Sequence, residues 1–232
     1  MSHAATVTRL ALREMWITFR LLIVLGAFIG AGAIVALLPA PPSVALERLA
    51  LGFGIATAFT SAVAAWSVAD ERTSGRAGWL VARSVSRATY LRGWFVAIAA
   101  VALVGIGAGA LLGWLAAANL SPFLDVTGFI VAVAAVSGAV AASIALGIAA
   151  GSLAAPRAAA AGAVLVCGSV GAITALLPGW GDLGPGAGYL ALARAAGAEP
   201  VLASALRATG IGLTLAAILL IAARMAMERA EL

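Results

Sequence analysis

Apolar residues gather in six long runs that no charged residue enters: Leu21–Leu38, Leu49–Ala69, Gly93–Ala118, Val126–Leu153, Ala158–Leu177 and Ala208–Ala223. A bilayer core takes about 20 mostly apolar residues of helix, so each run predicts one crossing. The third and fourth runs exceed that length, and tilt or interfacial overhang absorbs the excess. Pro39, Pro41, Pro42, Pro122, Pro156, Pro178, Pro185 and Pro200 all stand at or beyond the ends of the runs. Proline removes a backbone donor and clashes with the preceding turn, so this placement punctuates helices. The expected architecture is all-α: one polytopic membrane domain over 1–232 with six transmembrane helices.

Three polar segments between the runs have a character of their own. On a helix over 1–20, Arg9, Arg13, Trp16 and Arg20 share a narrow face, and Leu12, Met15 and Phe19 share another. That is the pattern of an interfacial helix lying among lipid headgroups; a frayed basic topology signal is the plainer alternative. In the connection 70–92, Arg72, Arg76, Arg83 and Arg87 fall on one face of a helix with Trp79 beside them, although Gly75 and Gly78 interrupt it. This segment is either a solvated basic loop or a docking element for a cytosolic partner. The connection 178–207 opens with Gly179, Gly181, Gly184, Gly186 and Gly188, then reads as two short apolar helices, Tyr189–Ala196 and Val201–Arg207. Both are too short to span.

Composition sharpens the class. Of 232 residues, 64% are hydrophobic and 10% charged, with mean hydropathy +1.12, whereas a soluble domain carries about 25% charge. All 14 basic residues are arginine. If the spans alternate, eleven lie on one side (Arg9, Arg13, Arg20, Arg72, Arg76, Arg83, Arg87, Arg92, Arg157, Arg224 and Arg229), against Arg48, Arg194 and Arg207 on the other. The positive-inside rule then places both termini in the cytoplasm of a cell (plasma) membrane protein. Placed in this way, the net charge of +5 points to a lipid surface and not to nucleic acid. A cleaved signal peptide is the rival reading of the first run, which is long for one.

Candidate chemistry is sparse. No Asp, Glu, Arg or His lies within a run, and the one histidine is His3. Intramembrane ionisable groups mark proton and ion pathways, so a proton-coupled pump and an intramembrane serine protease lack their parts. Asp70, Glu71, Asp125 and Asp182 are scattered over three connections, a poor basis for a metal-dependent transferase. Cys167 stands alone in an apolar run, as a small buried hydrophobe. No catalytic residue, metal site or resident cofactor is expected. Gly105, Gly109 and Gly113, with the pairs Gly26–Gly30 and Gly147–Gly151, have the four-residue spacing of close-packed membrane helices. Thr57, Thr60, Ser61 and Ser67 share a side of the second run, to line a cavity or, more simply, to bond their own helix backbone.

The chain resembles the membrane (permease) subunit of ABC-2-type, or type V, ABC transporters. In that family a Glu, a Gly-Thr-like step, an apolar turn and a Pro-x-Ser-Arg-like step link the second and third spans. Glu71, Gly75, Leu80 and the pair Ser86–Arg87 match this order, while Arg76 stands where the family prefers Thr and Ser84 where it often has Pro. The resemblance implies a permease subunit that pairs with a second copy or a homologous permease. It also implies a separate cytoplasmic ABC ATPase, which would bind the ATP and Mg, since this chain carries no GxxxxGK[ST] loop. Glu71, Arg72, Arg76, Trp79, Arg83 and Arg87 would form the ATPase-docking surface beside the N-terminal helix. There, substitution of Glu71 or Arg76 should spare folding, because neither lies in an apolar run. The 178–207 region would be a re-entrant pair lidding the external end. The expected function is a permease, an exporter by this reading. Its alternatives are a heme-exporter-like B subunit and a non-transporting membrane scaffold holding a cytosolic partner.

Overall fold

A computed structural model describes residues 3–38, 40–78, 85–118, 126–176, 186–195 and 201–229. Within them the helices are α1 His3–Ile17, α2 Arg20–Leu37, α3 Pro42–Thr73, α4 Arg87–Ala118, α5 Val126–Leu153, α6 Pro156–Leu176, α7 Ala187–Arg194 and α8 Leu202–Arg229. Five of them (α2, α3, α4, α5 and α8) are long and apolar enough to cross a membrane, and α6 carries a shorter apolar stretch. Large apolar side chains, among them Leu51, Val104, Ile130, Leu165, Leu206 and Ile221, face outward with more than half their surface exposed. So extensive an apolar exterior suits lipid and not water. The chain is a multi-pass, all-helical membrane protein.

Helix ends follow local chemistry more than the apolar runs. Pro42 sits at the start of α3, where its missing N–H costs nothing, so the helix begins two turns before the run does. At its other end α3 continues through Asp70, Glu71 and Arg72 to Thr73. It stops where Gly75 takes a left-handed φ of 77° and donates its N–H to the Arg72 carbonyl at 3.2 Å, a glycine C-cap. The Ser86 hydroxyl accepts the Thr89 N–H at 3.1 Å, capping the N-terminus of α4. The long connection expected over 70–92 therefore loses its first four residues to α3 and its last six to α4.

The N-terminal helix also differs from expectation. It ends at Ile17, and Phe19, with φ 58°, turns the chain into α2. Arg20 is the first residue of α2 and no part of the interfacial face. The buried stripe is Val7, Ala11 and Met15, with Val7 against Gly93 of α4. Phe19 is 67% exposed. Arg9, Arg13 and Trp16 do face outward, so α1 lies on the bundle with its basic, aromatic side away from it. The other short helix expected, Val201–Arg207, is continuous with the last span as the first turns of α8.

At the centre of the bundle, α3 packs against α2, α4, α5, α6 and α7, and α5 against α3, α4, α6, α7 and α8. Glycine makes these approaches possible. A Cβ on Gly109 would strike the Phe28 carbonyl of α2, and one on Gly147 the Ser61 carbonyl of α3. Small residues at crossings let backbones meet where lipid removes the hydrophobic drive. A Cβ on Gly26 or Gly30, by contrast, would meet nothing within 4 Å among the described residues.

Candidate functional site

Antiparallel connectivity brings the ends of α3 and α5 together with the starts of α2, α4 and α6, and most of the chain's charge gathers there. Asp70 and Glu71, adjacent on α3, point to different surroundings. Asp70 accepts from Arg20 Nη2 at 3.1 Å, and Arg76 Nη2 stands 3.5 Å from the same oxygen. Arg20 Nη1 also donates to the Ser67 hydroxyl at 3.2 Å. Arg76 reaches on to Glu14 of α1 at 3.1 Å. One chain of charge thus ties α1, the start of α2, the end of α3 and the turn after it. Each exposed link is weak, about 0–1 kcal/mol, but together they hold four elements in one geometry.

Glu71 faces inward and is 9% exposed. The Tyr90 hydroxyl donates to Glu71 Oε2 at 2.8 Å and the Trp94 indole N–H donates to it at 3.1 Å. Tyr90 and Trp94 are themselves fully buried, one turn apart on α4. An acceptor shared by two buried donors ties α3 to α4 in one register, with the Glu71 side chain turned into the bundle. Glu71, expected at a partner-facing surface, is instead buried between α3 and α4. The physical reason is that α3 runs one turn past its apolar run and carries the acid into the packed interface.

Arg72 is also engaged within the chain. Its guanidinium donates to the Ala154 carbonyl at 2.8 Å and the Gly151 carbonyl at 3.4 Å, so a cation closes the C-terminal end of α5, where the helix dipole favours it. Arg76 keeps 47% of its side chain exposed, and Arg87 opens α4 half-buried. Trp79 and Arg83 lie outside the described residues. Of the six expected docking residues, the structure brings Arg76 to the surface and turns Glu71 and Arg72 inward. Sequence reasoning passed over Tyr90, Trp94 and Glu14. The four-residue spacing of Tyr90 and Trp94, two amphipathic aromatics at a membrane-interface position, was the signal that could have found the first two.

A second feature lies on the other side of α3. A cavity of about 870 Å³ opens between α3, α5, α6, α7 and α8. Thr57 lines it, bonding its own helix at the Phe53 carbonyl (2.7 Å) while accepting the Tyr189 hydroxyl of α7 at 2.5 Å. Thr60 likewise bonds its own helix, whereas Ser61 crosses to the Ser143 carbonyl of α5 at 2.8 Å. Cys167 also lines the cavity, whose wall is otherwise almost wholly apolar except for Glu47 at one end and Ser143. Among the described residues, no three His, Cys, Asp or Glu side chains converge as metal ligands.

Fold and site together define a multi-pass membrane protein with a charged clasp at one end of its bundle and an apolar cavity beside α3. No protein-family model matches the sequence, and no curated protein is significantly similar to it.

Proposed function

We propose that this chain is the membrane-spanning subunit of an ATP-driven transporter of the ABC-2 type. In this reading it crosses the membrane six times, α6 completing the set, with both termini and the arginine-rich end in the cytoplasm. It works as an exporter, paired with a second copy or a related permease, and a separate cytoplasmic ATPase binds and hydrolyses the nucleotide. The observation that carries the reading is Arg76. It projects from the turn after α3, half of its side chain open to solvent, while its guanidinium is tied to Glu14 of α1 and Asp70 of α3. A partner pressing on this turn would move α1, α2 and α3 together, which is what coupling requires. Glu71 and Arg72 serve from inside, by locking α3 to α4 and to the end of α5, so that the push reaches the helices lining the cavity. α7, bonded to α3 through Tyr189 and Thr57, covers the external side.

Affinity purification of tagged chain from its native membranes tests this. An ATPase bearing a phosphate-binding loop should co-purify in comparable amount, and Arg76→Glu should strip it away, because reversing an interfacial charge places like charges together. Recovery of the chain with no such ATPase, at preserved bundle integrity, would leave the scaffold reading in its place.

A further inference from the structure

The cavity beside α3 has a chemical polarity that the transporter reading does not use. Its volume, about 870 Å³, is within the roughly 300–1,000 Å³ of small-molecule sites. Along α3 the lining runs from Glu47 to Phe59, about 18 Å of helix rise. Glu47 is one turn from the start of α3, at the end of the bundle away from the clasp. Past it the described wall is mostly Ala, Leu, Ile, Val and Phe side chains, with the Thr57, Ser143 and Tyr189 hydroxyls and the Cys167 thiol among them. Among the described residues Glu47 is the one charged group on that wall. Its neighbour Arg48 is turned away, donating to the Leu38 carbonyl at 3.2 Å.

We infer that this cavity binds a cationic amphiphile, its single aliphatic chain laid along α3 toward the middle of the membrane and its ammonium head against the Glu47 carboxylate. Charge complementarity selects the head. Glu47 is exposed, so an anionic amphiphile would bring like charge to it, and a neutral one would gain nothing from the carboxylate. Depth selects the tail, because a wall this apolar offers a polar chain almost no hydrogen-bond partners and desolvating it would go uncompensated. Only the further idea that this ligand is cargo rests on the transporter reading; the binding itself rests on the cavity.

Cys167 supplies a native reporter, since it lines the same wall and is the one cysteine in the sequence. In phosphatidylcholine nanodiscs, its alkylation by N-ethylmaleimide is measured with hexadecyltrimethylammonium or hexadecyl sulfate at matched membrane content. The cationic amphiphile should protect Cys167 at about fivefold lower concentration than the anionic one, the upper end for a water-accessible ion pair. Glu47→Gln should erase that difference while leaving the chain monodisperse. Equal protection by both headgroups, or a preference that survives Glu47→Gln, overturns the proposal. If Cys167 resists alkylation outright, Ala58→Cys in a Cys167→Ser chain is the second reporter, and inertness at both positions overturns the open cavity itself. Failure of an ATPase to co-purify leaves this result untouched, and loss of amphiphile binding leaves the co-purification result standing.

Discussion

Removing the Glu71 carboxylate leaves two buried donors, the Tyr90 hydroxyl and the Trp94 N–H, with no acceptor. Each unsatisfied buried group costs about 1–3 kcal/mol, so Glu71→Ala should lower stability by roughly 2–4 kcal/mol and depress the thermal midpoint of the purified protein. Glu71→Gln keeps an acceptor oxygen in place and should recover most of the loss. If both variants melt like the unmodified chain, the buried acid holds nothing together. Arg72→Ala should have a smaller effect, about 1 kcal/mol, because it removes a cation from carbonyls at a helix end that water can reach. Melting curves for the three variants side by side rank the two roles.

Between elements, the α3–α5 crossing depends on the absence of a side chain at Gly147. A leucine there would meet the Ser61 carbonyl, the Ala64 side chain and the Ala65 backbone. Backbone cannot rearrange as a side-chain tip can, and overpacking commonly costs about 1–3 kcal/mol. Gly147→Leu should therefore destabilise the bundle, while Gly26→Leu, which points at nothing within 4 Å, should leave it unchanged. The two glycines look alike in sequence, each opening a four-residue pair. Only their neighbours differ, and thermal unfolding in lipid nanodiscs would expose that difference.

Across the whole molecule, the described arginines divide between the two ends of the bundle. Arg9, Arg13, Arg20, Arg72, Arg76, Arg87, Arg92, Arg157, Arg224 and Arg229 lie toward the clasp, and Arg48, Arg194 and Arg207 toward the other end. In the proposed orientation, which follows the positive-inside rule, the clasp is on the cytoplasmic side. In a Cys167→Ser chain, single cysteines at Ser74 and Arg157 should react with a membrane-impermeant maleimide only in inverted vesicles, and those at Asp125 and Asp182 in intact cells. Labelling of the Ser74 position from outside would reverse the topology and remove the docking proposal with it.

Hydrophobic patterning alone determined the class of this protein, because a bilayer demands apolar helices of a set length and a chain cannot hide twenty uncharged residues elsewhere. It also located the long helices, and the four-residue glycine spacing anticipated Gly109 and Gly147 at crossings, though it selected Gly26 and Gly30 as well. The inward or outward fate of the polar residues was decided only by tertiary structure. Asp70 and Glu71 are consecutive acids, yet one joins a half-exposed ion-pair chain and the other is sealed under Tyr90 and Trp94. A step of one residue turns a helix by about 100°, so which acid meets the neighbouring helix depends on how α3 is rotated against α4. The cavity has the same origin: Glu47 and Thr57 on α3 are far in sequence from Cys167 and Tyr189, and only the packing of the helices gathers them around one space.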